Sequence, residues 1–207
     1  VPGTGKQYPI KPGESFIIAA FAQNYKATFT SANGKEVKPE APELTVDLSG
    51  AEFDVVYKGY EEFDNPKAAN MNIIHAGNSR YMRLSRNGKE GYLLFRHPDP
   101  ALLPVYLYPA ITPGTGSNSQ FMQVPTANVI DAVEVITPTN NGYLAPKAYQ
   151  KNDDAGYTYS KPDYSSECIT RKVARMDGSR RVLQDINNST LDFVTMKAEP
   201  KAFAPQN

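Results

Sequence analysis

Proline and glycine leave this chain no room for a long helix. Seventeen prolines and fourteen glycines are spread through 207 residues. A proline inside a helix removes a backbone donor and clashes with the preceding turn, and a glycine there loses more conformational entropy than other residues do. No long stretch with helical hydrophobic spacing survives between them. Short apolar runs bounded by Pro, Gly, Asn and Asp recur instead. That pattern predicts an all-β chain.

The runs can be placed one by one. Residues 15–21 (SFIIAAF) are continuously apolar, which predicts a strand buried on both faces. Residues 44–48 and 51–57 predict two more strands separated by the turn Ser49-Gly50, with Phe53, Val55 and Tyr57 alternating against Asp54 and Val56. Further strands are expected over 71–74, 80–84, 92–95 and 105–108, with Asn87-Gly88 as a hairpin turn. Residues 128–136 (NVIDAVEVI) are rich in β-branched residues and predict a strand. It would carry Val129, Asp131, Val133 and Val135 on one face and Ile130, Ala132, Glu134 and Ile136 on the other. Loops are expected over 109–119 and 138–166. The second reads as a long surface excursion, and 194–207 as an extended tail. No repeat or linker divides the chain, so residues 1–207 are expected to form one domain.

Residues 171–193 (RKVARMDGSRRVLQDINNSTLDF) predict a hairpin through Asp177-Gly178, then a polar turn, then Phe193 as an apolar plug. Asp185, Asn187 and Ser189 stand at the first, third and fifth positions of a calcium loop. The sixth is Thr190 where that loop needs Gly, and the twelfth is Met196 where it needs Glu. Asx-turns and a single helical turn capped by Ser189 or Thr190 explain these residues better.

Charge excludes some functions. Lys plus Arg and Asp plus Glu are both 22, so the formal net charge is zero. A nucleic-acid binder or a polybasic membrane anchor would show a basic excess. No apolar run approaches the ~18 residues that span a bilayer as a helix. The two histidines, His75 and His97, and the single cysteine, Cys168, have no metal-ligand spacing. Asp131 and Glu134 would point to opposite faces of their strand, which does not make an acid/base pair. No Gly-x-Ser-x-Gly elbow appears, and the two Pro-Gly-Thr-Gly segments lack the Lys-Ser/Thr of a phosphate loop. No catalytic, cofactor or metal residue is selected. The candidate binding surface is a run of tyrosines in the long excursion: Tyr143, Tyr149, Tyr157, Tyr159 and Tyr164. Tyrosine offers rigid amphipathic area and is favoured at interfaces.

Several segments taken in order carry a resemblance: Pro-Gly-Glu-Ser-Phe at 12–16, Val-Asp-Leu-Ser-Gly at 46–50, Gly-Tyr-Leu-Leu-Phe at 91–95, Val-Ile-Asp-Ala-Val-Glu at 129–134, Asp-Ala-Gly-Tyr at 154–157, Arg171-Lys172, and the 185–193 turn ending in Asp192-Phe193. Together they resemble an uncharacterised family of Bacteroides-type envelope proteins related to the lamin-tail domain. The resemblance implies an immunoglobulin-like β-sandwich with long loops and no active site. It implies a secreted protein or outer-membrane lipoprotein, of the kind that accompanies TonB-dependent nutrient uptake. It also implies strands earlier than those visible here, supplied upstream or by another polypeptide. The expected function is thus a non-enzymatic envelope binding or assembly module whose partner is an envelope protein or a glycan. Two alternatives stand beside it. One is a glycan-active hydrolase on a β-scaffold, which needs two carboxylates about 5–10 Å apart. The other is a structural subunit completed by a partner's strands.

Overall fold

A computed structural model of the chain describes residues 8–75, 82, 89–107, 120–137, 149–161 and 165–205. These residues are mostly strand and loop, as the Pro and Gly distribution requires. The fold is all-β, and among the described residues one α-helical turn and four short 3-10 turns interrupt it.

The first part of the chain is built on very short strands. β1 (Ile18–Ala19), β4 (Phe53–Asp54) and β5 (Ala69–Asn70) form a three-stranded parallel sheet with β4 in the centre. Between β1 and β4, β2 (Phe29–Thr30) and β3 (Glu36–Val37) pair as an antiparallel hairpin. Its turn places Gly34 at a φ of 82°, a left-handed conformation that glycine adopts without a Cβ penalty.

The second part carries longer ladders. β6 (Lys89–Phe95) runs antiparallel to β9 (Val129–Ile136), with a register shift between Leu94 and Phe95. β7 (Val105–Leu107) pairs with β8 (Gln120–Met122). β10 (Glu167–Arg171) pairs antiparallel with β13 (Phe193–Lys197). β11 (Val173–Asp177) and β12 (Arg180–Leu183) form a hairpin closed by Gly178 and Ser179, with Gly178 at a φ of 61°. The helical turn α1 (Ser189–Asp192) leads directly into β13.

β9 has the faces expected of it. Ala132, Glu134 and Ile136 are buried, while Val129, Asp131, Val133 and Val135 are only half-buried. Elsewhere the apolar runs mislead. Residues 15–21 contribute only β1, and Phe16 and Ile18 are 40% and 42% exposed while Ala19 is 3% exposed. The partner β4 is two residues long, so the run has nothing to pair with along most of its length. Residues 44–48 are not a strand: Pro42 opens a 3-10 turn over Pro42–Leu44, and Asp47 makes a single bridge to Asn24. Residues 71–74 are not a strand; β5 ends at Asn70, just before them. Of 51–57 only β4 is strand, and the expected alternation does not separate a buried from an open face there: Phe53, Asp54 and Val55 are all buried. The Asn87-Gly88 turn, the 109–119 loop and all of 80–84 except Met82 lie outside the described residues.

The apolar core is small. Ala19, Ala22 and Ala51 pack together with Ile17, Leu48 and Ala68 against them. The largest fully buried side chains are polar: Asp54, Asp154, Asp192 and Ser189. Within the 138–166 stretch, residues 149–161 are docked onto the sheet through buried Asp154, Gly156 and Thr158. The tail is anchored as well. Residues 194–197 belong to β13, Ala204 is buried, Arg181 stacks over the Phe203 ring, and Lys201 pairs with Glu52. Among the described residues no helix is long and apolar enough to cross a membrane.

Candidate functional site

Tyr157 and Tyr159 stand two residues apart on an extended segment, so their side chains leave on the same face and Thr158 leaves on the other. Thr158 is buried and tied to β9: its N–H donates to the Glu134 carbonyl at 2.9 Å, and its carbonyl accepts the Ile136 N–H at 3.1 Å. Two threonines fix the backbone of the tyrosines themselves. Thr190 Oγ1 accepts the Tyr157 N–H at 3.0 Å and donates to the Tyr157 carbonyl at 2.8 Å. Thr195 Oγ1 donates to the Tyr159 carbonyl at 2.8 Å. The two rings lie 6.4 Å apart with planes 17° from parallel, and Tyr159 is 44% exposed. The result is an aromatic ledge whose backbone is held at every residue.

Asp154 holds that ledge to the rest of the molecule. Its Oδ1 accepts the N–H groups of Gly156 at 2.9 Å and Ser189 at 2.8 Å. Its Oδ2 accepts the Glu134 N–H at 2.8 Å and the Ser189 hydroxyl at 2.5 Å. One carboxylate thus joins β9, the 149–161 segment and α1. Burial pushes its pKa up, but the bonds from Ser189, Gly156 and Glu134 outweigh burial and hold it below the usual carboxylate value. Gly156 is required here for space: a Cβ would collide with Asn188 Oδ1 and come within 2.7 Å of Thr190 Oγ1.

Tyr149 serves inside this arrangement and not on the ledge. It is half-buried, and its ring lies so close over β6 that a Cβ on Gly91 would stand 2.5 Å from its Cε2. Burial, with the charges of Glu134 and Asp154 in support, raises its phenol pKa. The expected tyrosine surface is therefore divided. Tyr157 and Tyr159 are brought together, Tyr149 packs over the sheet, and Tyr143 and Tyr164 lie outside the described residues.

Arg171 closes the other side. Its guanidinium donates to Asp131 Oδ2 at 2.5 Å and to the Gln184 carbonyl at 3.0 Å, lies 3.2 Å from Asp185 Oδ1, and sits 4.7 Å over the Phe193 ring. Phe193 is accordingly a half-buried platform for Arg171 and the first residue of β13, which corrects its reading as a core plug. The helical turn exists, but its cap is Asn188, whose side chain accepts the Thr190 N–H. Neither Ser189 nor Thr190 caps it. Two of the side chains that mimic a calcium loop are committed elsewhere: Asp185 faces Arg171 and accepts the Asn187 backbone N–H, and the Ser189 hydroxyl donates to Asp154.

His97 Nδ1 accepts the Asp99 N–H, and Cys168 donates to the Lys197 carbonyl. Among the described residues no group of three or more His, Cys, Asp or Glu is placed to hold a metal ion. Asp131 and Glu134 leave opposite faces of β9, as expected: Asp131 meets Arg171, and Glu134 is buried beside Tyr149, whose N–H it accepts at 3.4 Å. Sequence reasoning missed Asp154 as a hub. Its signal was the Asp-x-Gly spacing of an Asx-turn at 154–156.

A family model described as "Protein of unknown function (DUF4876)" matches residues 11–200. The chain belongs to this family. A crystal structure at 2.50 Å resolution of a DUF4876 family protein from Bacteroides thetaiotaomicron VPI-5482 is similar to it, with 28% identity and a TM-score of 0.68. The similarity covers 93% of this DUF4876 chain and 51% of the solved one, so the chain spans about half the length of that relative. No curated protein matches the chain. The resemblance to Bacteroides-type proteins of uncharacterised function thus has a family and a solved relative behind it.

Proposed function

We propose that this DUF4876 chain is a non-enzymatic binding or assembly module of the cell envelope. It would present the Tyr157–Tyr159 ledge to an envelope protein or a glycan. The observation that carries the reading is the ledge itself. Two near-parallel rings stand on a backbone fixed by Thr158, Thr190 and Thr195. A site held in place before its ligand arrives loses little conformational freedom on binding, and flat aromatic faces suit both sugar rings and protein hot spots.

Placement in the envelope, with a lipoprotein role beside TonB-dependent uptake, rests on the order of motifs that resembles the Bacteroides-type envelope family. The Bacteroides origin of the solved relative is in keeping with it. An immunoglobulin-like, lamin-tail-related sandwich is the architecture this reading assigns to the paired ladders. The carboxylates near the ledge support a non-enzymatic role: Asp154 and Asp192 are committed to backbone N–H groups, and Asp131 is committed to Arg171.

The chain contains no tryptophan and thirteen tyrosines, so the part of a tyrosine-fluorescence change that is lost on replacing Tyr157 and Tyr159 reports the ledge. Titration with bacterial envelope polysaccharides should change the emission of the wild type. A Tyr157→Ala/Tyr159→Ala variant with an unchanged melting temperature should bind at least about tenfold more weakly, a loss of ~1.4 kcal/mol or more. Equal binding by the two proteins removes the ledge from the function. Release of reducing ends from the same polysaccharides would replace this reading with the hydrolase one.

A further inference from the structure

Asp54 lies in β4 and is 0% exposed. Its Oδ2 accepts the N–H groups of Ala22 and Asn65, both at 3.2 Å. Its Oδ1 is buried with no hydrogen-bond partner, and Asp64 Oδ1 is in the same condition. Asp64 directly precedes Asn65, whose N–H Asp54 accepts, so Asp64 belongs to the cradle around Asp54 and acts on it as a like charge. The cradle is rigid. Asn65 Nδ2 donates to the Ala22 carbonyl at 2.7 Å and to the Ser49 carbonyl at 3.2 Å. Gln23 Nε2 donates to the carbonyls of Phe63 at 3.0 Å and Asp64 at 3.3 Å. Tyr25 is the other titratable side chain beside Asp54, and its phenol is pushed up to about 12 by burial and by the Asp54 charge.

Among the described residues no Lys or Arg pairs with either carboxylate. Buried charges are normally paired or coordinate a metal, because an isolated one is costly to desolvate. Burial raises the Asp54 carboxyl above its usual value, the backbone N–H bonds on Oδ2 oppose that rise without cancelling it, and the Asp64 charge adds to it, so the ionised pair is strained and a cation between the two would relieve it. A rigid, electronegative, oxygen-only cradle with two orphaned carboxylate oxygens suits a hard cation, which takes carboxylates, carbonyls and water as ligands.

We infer that Asp54 and Asp64 together bind one divalent cation of the calcium class through their Oδ1 atoms, with water and backbone carbonyls completing its shell. The site would fasten the Ala22–Tyr25 turn and the Phe63–Asn65 turn to the central strand β4. It lies apart from the Tyr157–Tyr159 ledge and stands whether or not the ledge binds a partner.

The test is thermal unfolding of the whole chain at pH 8 in EDTA and in millimolar CaCl2, with calorimetric titration of Ca2+ alone. Ligand that binds only the folded state raises Tm by mass action, here by roughly 5 °C or more. Asp64→Asn and Asp54→Asn should each abolish the rise and the calorimetric signal. Asp54→Asn should fold: its amide oxygen can keep the Ala22 and Asn65 bonds while its NH2 faces Asp64, so in EDTA it should be at least as stable as the wild type. A wild type indifferent to Ca2+ overturns the inference. So does an Asp64→Asn protein that keeps the full response. Stabilisation of the wild type by mild acid with no response to Ca2+ overturns it too, in favour of one proton shared by the pair.

Discussion

Replacing Asp154 tests whether one buried carboxylate holds three segments together. In Asp154→Ala the N–H groups of Glu134, Gly156 and Ser189 all lose their acceptor, and the Ser189 hydroxyl loses its own. A buried donor left unsatisfied costs about 1–3 kcal/mol. Water entering the vacated space recovers part of that, so the expected destabilisation is ~3–5 kcal/mol. Asp154→Asn is a graded comparison. With its oxygen at the Oδ1 position it keeps the Gly156 and Ser189 N–H bonds. Its NH2 then faces the Glu134 N–H, and the Ser189 hydroxyl can turn to accept. One backbone bond is lost, so the expected cost is about 1–3 kcal/mol. Urea unfolding followed by circular dichroism measures both variants, and the midpoint should fall with little change in slope. An Asp154→Ala protein within ~1 kcal/mol of wild type would refute the hub, since that lies below the cost of three orphaned donors. Asn proving worse than Ala would refute the assignment of the individual bonds.

Three further substitutions probe the supports around the ledge. Gly91→Ala should cost about 1–3 kcal/mol by overpacking against Tyr149, and its combination with Tyr149→Ala should cost less than the sum of the two single changes in thermal melts. Arg171→Lys should lose about 1–3 kcal/mol, because an ammonium cannot reach Asp131 and the Gln184 carbonyl in one fork while lying over Phe193; a double-mutant cycle with Asp131→Asn measures the part that belongs to the pair. Phe193→Ala should cost about 1–2 kcal/mol by urea unfolding, below the ~3–5 kcal/mol of a buried aromatic, because the ring is half-buried under Arg171.

Local features were legible in the sequence where local physics decides them. Alternation in β9 separated its two faces correctly, without saying which is buried, and the Asp177-Gly178 pair marked the β11–β12 hairpin. The polar turn before β13 was readable from the preference of Asn and Asp for backbone amides. Apolar continuity over 15–21 was not informative, because strand length there is set by a two-residue partner distant in sequence. The tyrosine run identified a ledge but did not separate Tyr157 and Tyr159 from Tyr149, since that depends on Gly91 across the sheet. Asp54 gave no signal, and Asp154 showed only its local Asx-turn and not its role as a hub. A buried Asp and a surface Asp look alike until the chain segments that donate to it, 32 and 35 residues away, are in place.

Two of the fully buried aspartates, Asp54 and Asp154, should carry their titration in the stability of the fold, and they act in opposite directions. Burial raises the pKa of Asp154, its hydrogen bonds lower it further, and the folded value falls below the ordinary 3.8. The unfolded chain therefore binds the proton more tightly. The Asp154 contribution is fully present above that ordinary value and is lost as pH falls through the folded one. Asp54 is the reverse. Burial raises it, the bonds from Ala22 and Asn65 fail to compensate, and the charge of Asp64 raises it again. The folded protein then binds the proton more tightly, so stability is gained as pH falls through the folded Asp54 value towards 3.8 and levels off below it. Without divalent cation, wild type should gain stability relative to Asp54→Asn on mild acidification. On stronger acidification it should lose stability relative to Asp154→Asn. Urea unfolding in EDTA from pH 8 to pH 3 measures both differences, and saturating Ca2+ should flatten the first while leaving the second intact. If the Asp54→Asn difference does not change with pH, Asp54 is not a strained charge. The interior would then be held by its carboxylates as hydrogen-bond acceptors alone, with no electrostatic strain for a cation to relieve.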